Sequence, residues 1–73
     1  MQFPDKFELN DGTHVVVNKL DDETFEFHLT RLNSEKHNFY WNIASNTIEE
    51  SYETRFDVLQ NESVKTFRSR LGL

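Results

Sequence analysis

An α+β fold, an antiparallel meander of four or five strands with a C-terminal helix packed on one face, is predicted by three features of the 73-residue chain. Apolar residues alternate with polar ones through the first two thirds. Short polar turns separate those runs at hairpin spacing, and the last third switches to a helical apolar stripe. Leu, Phe, Val and Ile supply 21 of the 73 residues, above the level of roughly one fifth below which disorder is expected. Neither a Gly/Ser/Pro-rich linker nor an internal repeat divides the chain, so residues 1–73 read as one small domain.

Lys6-Phe7-Glu8-Leu9, the turn Asn10-Asp11-Gly12 and Thr13-His14-Val15-Val16-Val17 form the first hairpin. A three-residue loop with Gly12 left-handed pairs Phe7 with Val15 and Glu8 with His14. That register gathers Phe7, Leu9, Val15 and Val17 on one face and buries fewer unpartnered polar groups than a two-residue Asp-Gly loop. The third strand, Thr24 to Thr30, alternates without a break and turns Phe25, Phe27 and Leu29 inward. After the polar turn Leu32-Asn33-Ser34-Glu35, the fourth strand runs from His37 to Ile43 and adds Phe39 and Trp41 to the same face. His37, alternating with Phe39, belongs at the edge of the core. Uncovered, so aromatic a face would be an aggregation liability.

The helix supplies the cover. At about 100° per residue, Phe56, Leu59, Val64, Phe67 and Leu71 share one stripe that also admits Gln60 and Ser63, while Val58 falls outside it. Thr54 with Asp57 resembles a capping pair, and Gly72 stands where a helix-ending glycine belongs, so the helix is expected over roughly residues 54 to 71. Residues 46–53 fit two patterns. Thr47-Ile48-Glu49-Glu50 has a capping-box form, but Ile48, Glu50 and Tyr52 also alternate, and a fifth strand or irregular connection is preferred.

Charge and composition exclude several functions. Residues 1–53 carry a net charge of −7 and residues 54–73 of +2, for −5 in total. Such a chain repels phosphate over most of its surface, which disfavours nucleic acid as a partner. Lys65, Arg68 and Arg70 sit where cations complement a helix C-terminus. The sheet aromatics are needed inside, and the basic Gly-Phe motif of single-strand RNA platforms is missing. The two glycines lie in a hairpin and at the end, which leaves no phosphate loop. With no Cys, and no Ser in a nucleophile-elbow context, nothing beyond chance proximity of Ser and His points to nucleophilic catalysis. Asp21-Asp22-Glu23 reads as a solvated turn rather than a calcium loop. Asn61-Glu62-Ser63 fits a glycosylation sequon but lies within the expected helix. The absence of Cys, of a signal-like start and of a long apolar run makes a cytoplasmic location the expectation, with no membrane partner and no cofactor.

One constellation follows from the expected geometry. With a three-residue loop at Leu20-Asp21-Asp22, Val15 pairs with Phe27 and His14 with His28. Glu8, His14 and His28 then form a row across three strands, extended by Asn38 or Tyr40. Two imidazoles and a carboxylate are a candidate metal set. Histidines on a half-exposed sheet face are common without any ligand. The leading expectation is therefore a non-catalytic domain acting through a protein partner or as a homo-oligomer, by its uncovered face or a free strand edge. Metal or small-anion binding is the alternative.

Overall fold

A computed structural model describes residues 1–49 and 56–73. Five strands, β1 (Asp5–Glu8), β2 (His14–Lys19), β3 (Thr24–Thr30), β4 (Lys36–Asn42) and β5 (Thr47–Glu49), precede one helix, α1 (Asp57–Arg70). The sheet is antiparallel in the order β1-β2-β3-β4-β5, so each strand pairs with its sequence neighbour as a meander requires. The fold is α+β, and the fifth strand is present at Thr47–Glu49. The helical alternative for Thr47–Glu49 is not adopted; Glu50, Tyr52 and the capping role of Thr54 lie outside the described residues.

Three of the four hairpins close with a left-handed residue. Gly12 has φ +88°, Ser34 φ +71° and Asn46 φ +54°. In the first, Leu9 N–H donates to the Thr13 carbonyl at 2.9 Å and Gly12 N–H to that of Leu9 at 3.0 Å. This is the expected three-residue loop, and it sets Phe7 opposite Val15 and Glu8 opposite His14. Ser34 does the same work after β3. Its N–H donates to the Arg31 carbonyl, and Arg31 N–H donates to Glu35. The bulged left-handed position matches the right-handed twist of the flanking strands.

The loop between β2 and β3 corrects the expected register. Val15 pairs with Leu29, and His14 with Thr30 rather than His28. The turn closes one residue later than expected, at Leu20 N–H to Thr24 carbonyl. Asp21 decides this: its Oδ1 accepts from the N–H of Glu23 at 2.8 Å and of Thr24 at 2.7 Å, an Asx turn that organises Asp21-Asp22-Glu23. Both registers keep the same residues inside, because they differ by two positions and side chains alternate with period two.

The core lies between sheet and helix. Val15, Val17, Phe25, Phe27, Leu29, Phe39 and Trp41 from the sheet meet Phe56, Leu59, Val64 and Phe67 from the helix end and helix. Phe67 stands edge-on to Phe25, Phe27 and Trp41, with ring centroids 5.1, 5.5 and 6.1 Å away, an orientation that aromatic quadrupoles favour. Phe3, ahead of β1, completes the group at 5.9 Å from Phe25. Gln60 and Ser63 are buried within the stripe, as expected. Ser63 Oγ donates to the Leu59 carbonyl, and the Gln60 amide nitrogen reaches His37 Nε2 at 2.6 Å. His37 stacks on Phe56 at the margin of the core, and Val58 is exposed.

The helix starts at Asp57, with Phe56 at the N-cap position and no side-chain cap. It ends as the glycine implied. Gly72, φ +86°, donates its N–H to Ser69, and Leu73 donates to Arg68, the paired bonds of a Schellman motif. Among the described residues no helix is long and apolar enough to cross a membrane.

Candidate interaction surface

The sheet face opposite the helix is built from alternate residues of all five strands, and the registers order them into rows. Glu8, His14, Thr30 and Lys36 form one row; Lys6, Val16, His28 and Asn38 the next; Asn18, Glu26, Tyr40 and Glu49 a third. The central positions are half-buried by their neighbours; Lys6, Glu8, Lys36 and Glu49 lie at the ends of the rows, and Glu26 lies within the third. The middle of the face carries Val16, Asn18, Glu26, His28, Thr30 and Tyr40, a mixture of neutral polar, aromatic and aliphatic groups around one carboxylate that is engaged by His28.

The structure brings two of the three candidate metal ligands together and moves the third away. Glu8 Oε1 lies 3.3 Å from His14 Nδ1, both side chains well exposed. His28 falls in the neighbouring row. Its Nε2 is 2.8 Å from Glu26 Oε1, and its Nδ1 is 2.8 Å from Asn38 Oδ1. Both ring nitrogens are thereby engaged, and a metal could reach the ring only by displacing one of these two short contacts. Among the described residues no group of three or more His, Asp and Glu side chains is placed to hold a metal ion. The Glu26–His28–Asn38 set was legible in part. Glu26 and His28 share a face by alternation, while Asn38 depended on the β3–β4 register.

The β1 edge is the second component of the surface. Hydrogen-bonded pairs recur at every second residue, so the Leu9–Thr13 bond places the next ones at Phe7–Val15 and Asp5–Val17. The N–H and C=O groups of Lys6 and Glu8 therefore point away from β2. β1 stands at the end of the sheet order. The edge strand is anchored from the helix. Arg70 Nη2 and Nε donate to Asp5 Oδ1 and Oδ2 at 2.6 and 2.8 Å, while the Asp5 side chain is only 7% exposed. The same guanidinium lies over the Phe7 ring at 5.4 Å. This clamp was missed in the sequence. Its signal was Asp5 alternating with Phe7 and Leu9, which puts a carboxylate on the core face, and Arg70 flanking the helical stripe.

Two open clefts flank the helix. One, of about 410 Å³, lies between the helix and the β4–β5 side and includes Trp41, Asn46, Ile48, Lys65 and Arg68. The other, of about 500 Å³ on the β1 side, includes Glu8, Asn10, Glu62 and Lys65. Arg68 sits over the Trp41 ring at 5.9 Å. Two of the tail's cations thus have partners within the fold.

Comparison of the chain with protein-family models, with curated proteins and with solved structures finds no match in any of the three. Its surface alone carries the functional argument.

Proposed function

We propose that this chain is a non-catalytic, cytosolic protein-interaction domain, working by self-association or by binding a protein partner. The observation that carries the reading is the sheet itself: the helix occupies one face, and β1 ends the sheet with the backbone groups of Lys6 and Glu8 directed outward. An exposed edge of this kind is a template for a further strand. The adjoining face supports the reading, since its centre offers Tyr40, Val16 and neutral polar groups, with the one central carboxylate, Glu26, engaged by His28, rather than a continuous field of charge. Surfaces of that mixture form non-obligate interfaces, which are about as polar as the rest of a protein. With no cysteine in the chain, no disulfide ties it to an oxidising compartment.

A photo-reactive amino acid placed in turn at Lys6, Asn18 and Tyr40, and activated in the native cell, tests this. Crosslinks to another polypeptide from the edge or the face are the expected result. Chains that stay uncrosslinked from all three positions would overturn the proposal.

A further inference from the structure

We propose that β1 pairs with the β1 strand of a second copy, antiparallel about a two-fold axis at Phe7, with Lys6 of each copy opposite Glu8 of the other. This rests on the interaction reading and names the partner. The backbone phase restricts the choice: an added antiparallel strand must bond to Lys6 and Glu8, because Asp5 and Phe7 are already bonded to β2. Self-pairing then has three registers. Lys6 on Lys6 opposes like charges and brings Glu8 against Pro4, which has no N–H. Glu8 on Glu8 also opposes like charges and carries Lys6 to Asn10, in the turn. Lys6 on Glu8 alone uses every free donor and acceptor of the two residues in both copies.

The side chains agree with that register. Directly opposite residues of an antiparallel pair project to the same face, so two Lys–Glu pairs form by symmetry. Both residues are exposed on the outer face. Glu8 would lie between His14 of its own chain and Lys6 of the other, extending the row Lys36, Thr30, His14, Glu8 across the junction. On the helix side, half-buried Phe7 meets its own copy. The Arg70 cation above that ring is already neutralised by Asp5, so the approach of two copies brings no unpaired charge together. Charged residues on a short edge strand ordinarily discourage pairing. Here opposite signs two positions apart make the edge self-complementary in one register and repulsive in the other two.

Four residues are a short contact, which places the dimer at the weak, transient end of known interfaces. Sedimentation of the intact chain from about 10 µM to about 1 mM should show a monomer–dimer equilibrium. Lys6→Glu and Glu8→Lys should each raise the dissociation constant by at least about tenfold, since symmetry makes each substitution count twice. An equimolar mixture of the two variants should recover dimer, because Glu at position 6 then faces Lys at position 8 and the native Glu8 faces the native Lys6. That recovery excludes misfolding as the cause of the single-variant losses. A wild-type chain monomeric at the highest concentration, with Lys6 crosslinking only to a different protein, would overturn this inference and leave the interaction reading standing. A dimer indifferent to both reversals, or variants that fail to recover on mixing, would overturn it in favour of another self-contact.

Discussion

Ser34 and Asn46 hold positive φ without being glycine, and the two differ in what their side chains do. An L-residue in this region costs about 1 kcal/mol, of which glycine's greater freedom in the unfolded chain takes back roughly half. Ser34→Gly should therefore raise stability by about 0.5 kcal/mol in urea unfolding. Asn46 is different because its Oδ1 accepts from the indole N–H of the fully buried Trp41 at 2.9 Å. Asn46→Gly would relieve the same backbone strain and orphan that donor, for a net loss of about 1 kcal/mol. Arg70→Met should be costlier, at about 2 kcal/mol, because it leaves the buried Asp5 carboxylate without its two-pronged partner. The value is kept below that of a fully enclosed pair because the Arg70 side chain is 43% exposed. Asp5→Asn in the Arg70→Met background should restore part of the loss in the same assay.

At the scale of the elements, the β2–β3 hairpin depends on the ionised form of Asp21. Backbone N–H groups of Glu23 and Thr24 hold its carboxyl below the ordinary value of 3.8. Hydrogen bonds from Thr13 hold Asp11, in the first hairpin, below it as well. A carboxyl depressed in the folded chain contributes stability that is complete above its unfolded value and is lost as pH falls through the folded one. Stability should accordingly decline as pH drops below about 4. Asp21→Asn keeps an acceptor oxygen for the turn but removes the titrating group, so its stability should fall less steeply in that window. Thermal melts at pH 5, 4, 3 and 2 compare the two proteins. An Asp21→Asn slope matching wild type would assign the acid sensitivity elsewhere.

For the whole molecule, the decisive contact is between helix and sheet. Phe67 touches Phe3, Phe25, Phe27 and Trp41 and is fully buried. Truncating a buried phenylalanine costs about 3–5 kcal/mol, which is comparable to what a core of this size supplies in total. Phe67→Ala should leave much of the chain unfolded at 25 °C by near-ultraviolet circular dichroism. Val58→Ser, on the same helix but 66% exposed, should change stability by no more than about 0.5 kcal/mol. Together the two variants ask whether this one helix face closes the fold.

Much of the architecture was legible because it follows from local periodicity. Alternation placed Phe25, Phe27, Leu29, Phe39 and Trp41 on one face, helical spacing placed Phe56, Leu59, Val64 and Phe67 against them, and Gly12 and Gly72 marked a turn and a helix end. The sequence by itself thus determined which side chains go inside, since burial depends on a period that any window of residues displays. Only the tertiary structure decided which outward residues are neighbours. A strand slip of two positions leaves every inside residue inside, so the hydrophobic pattern carries no information about it. The Asx turn at Asp21 settled that slip and separated His28 from His14. The Asp5–Arg70 clamp likewise joins residues 65 positions apart, a distance across which no local period operates.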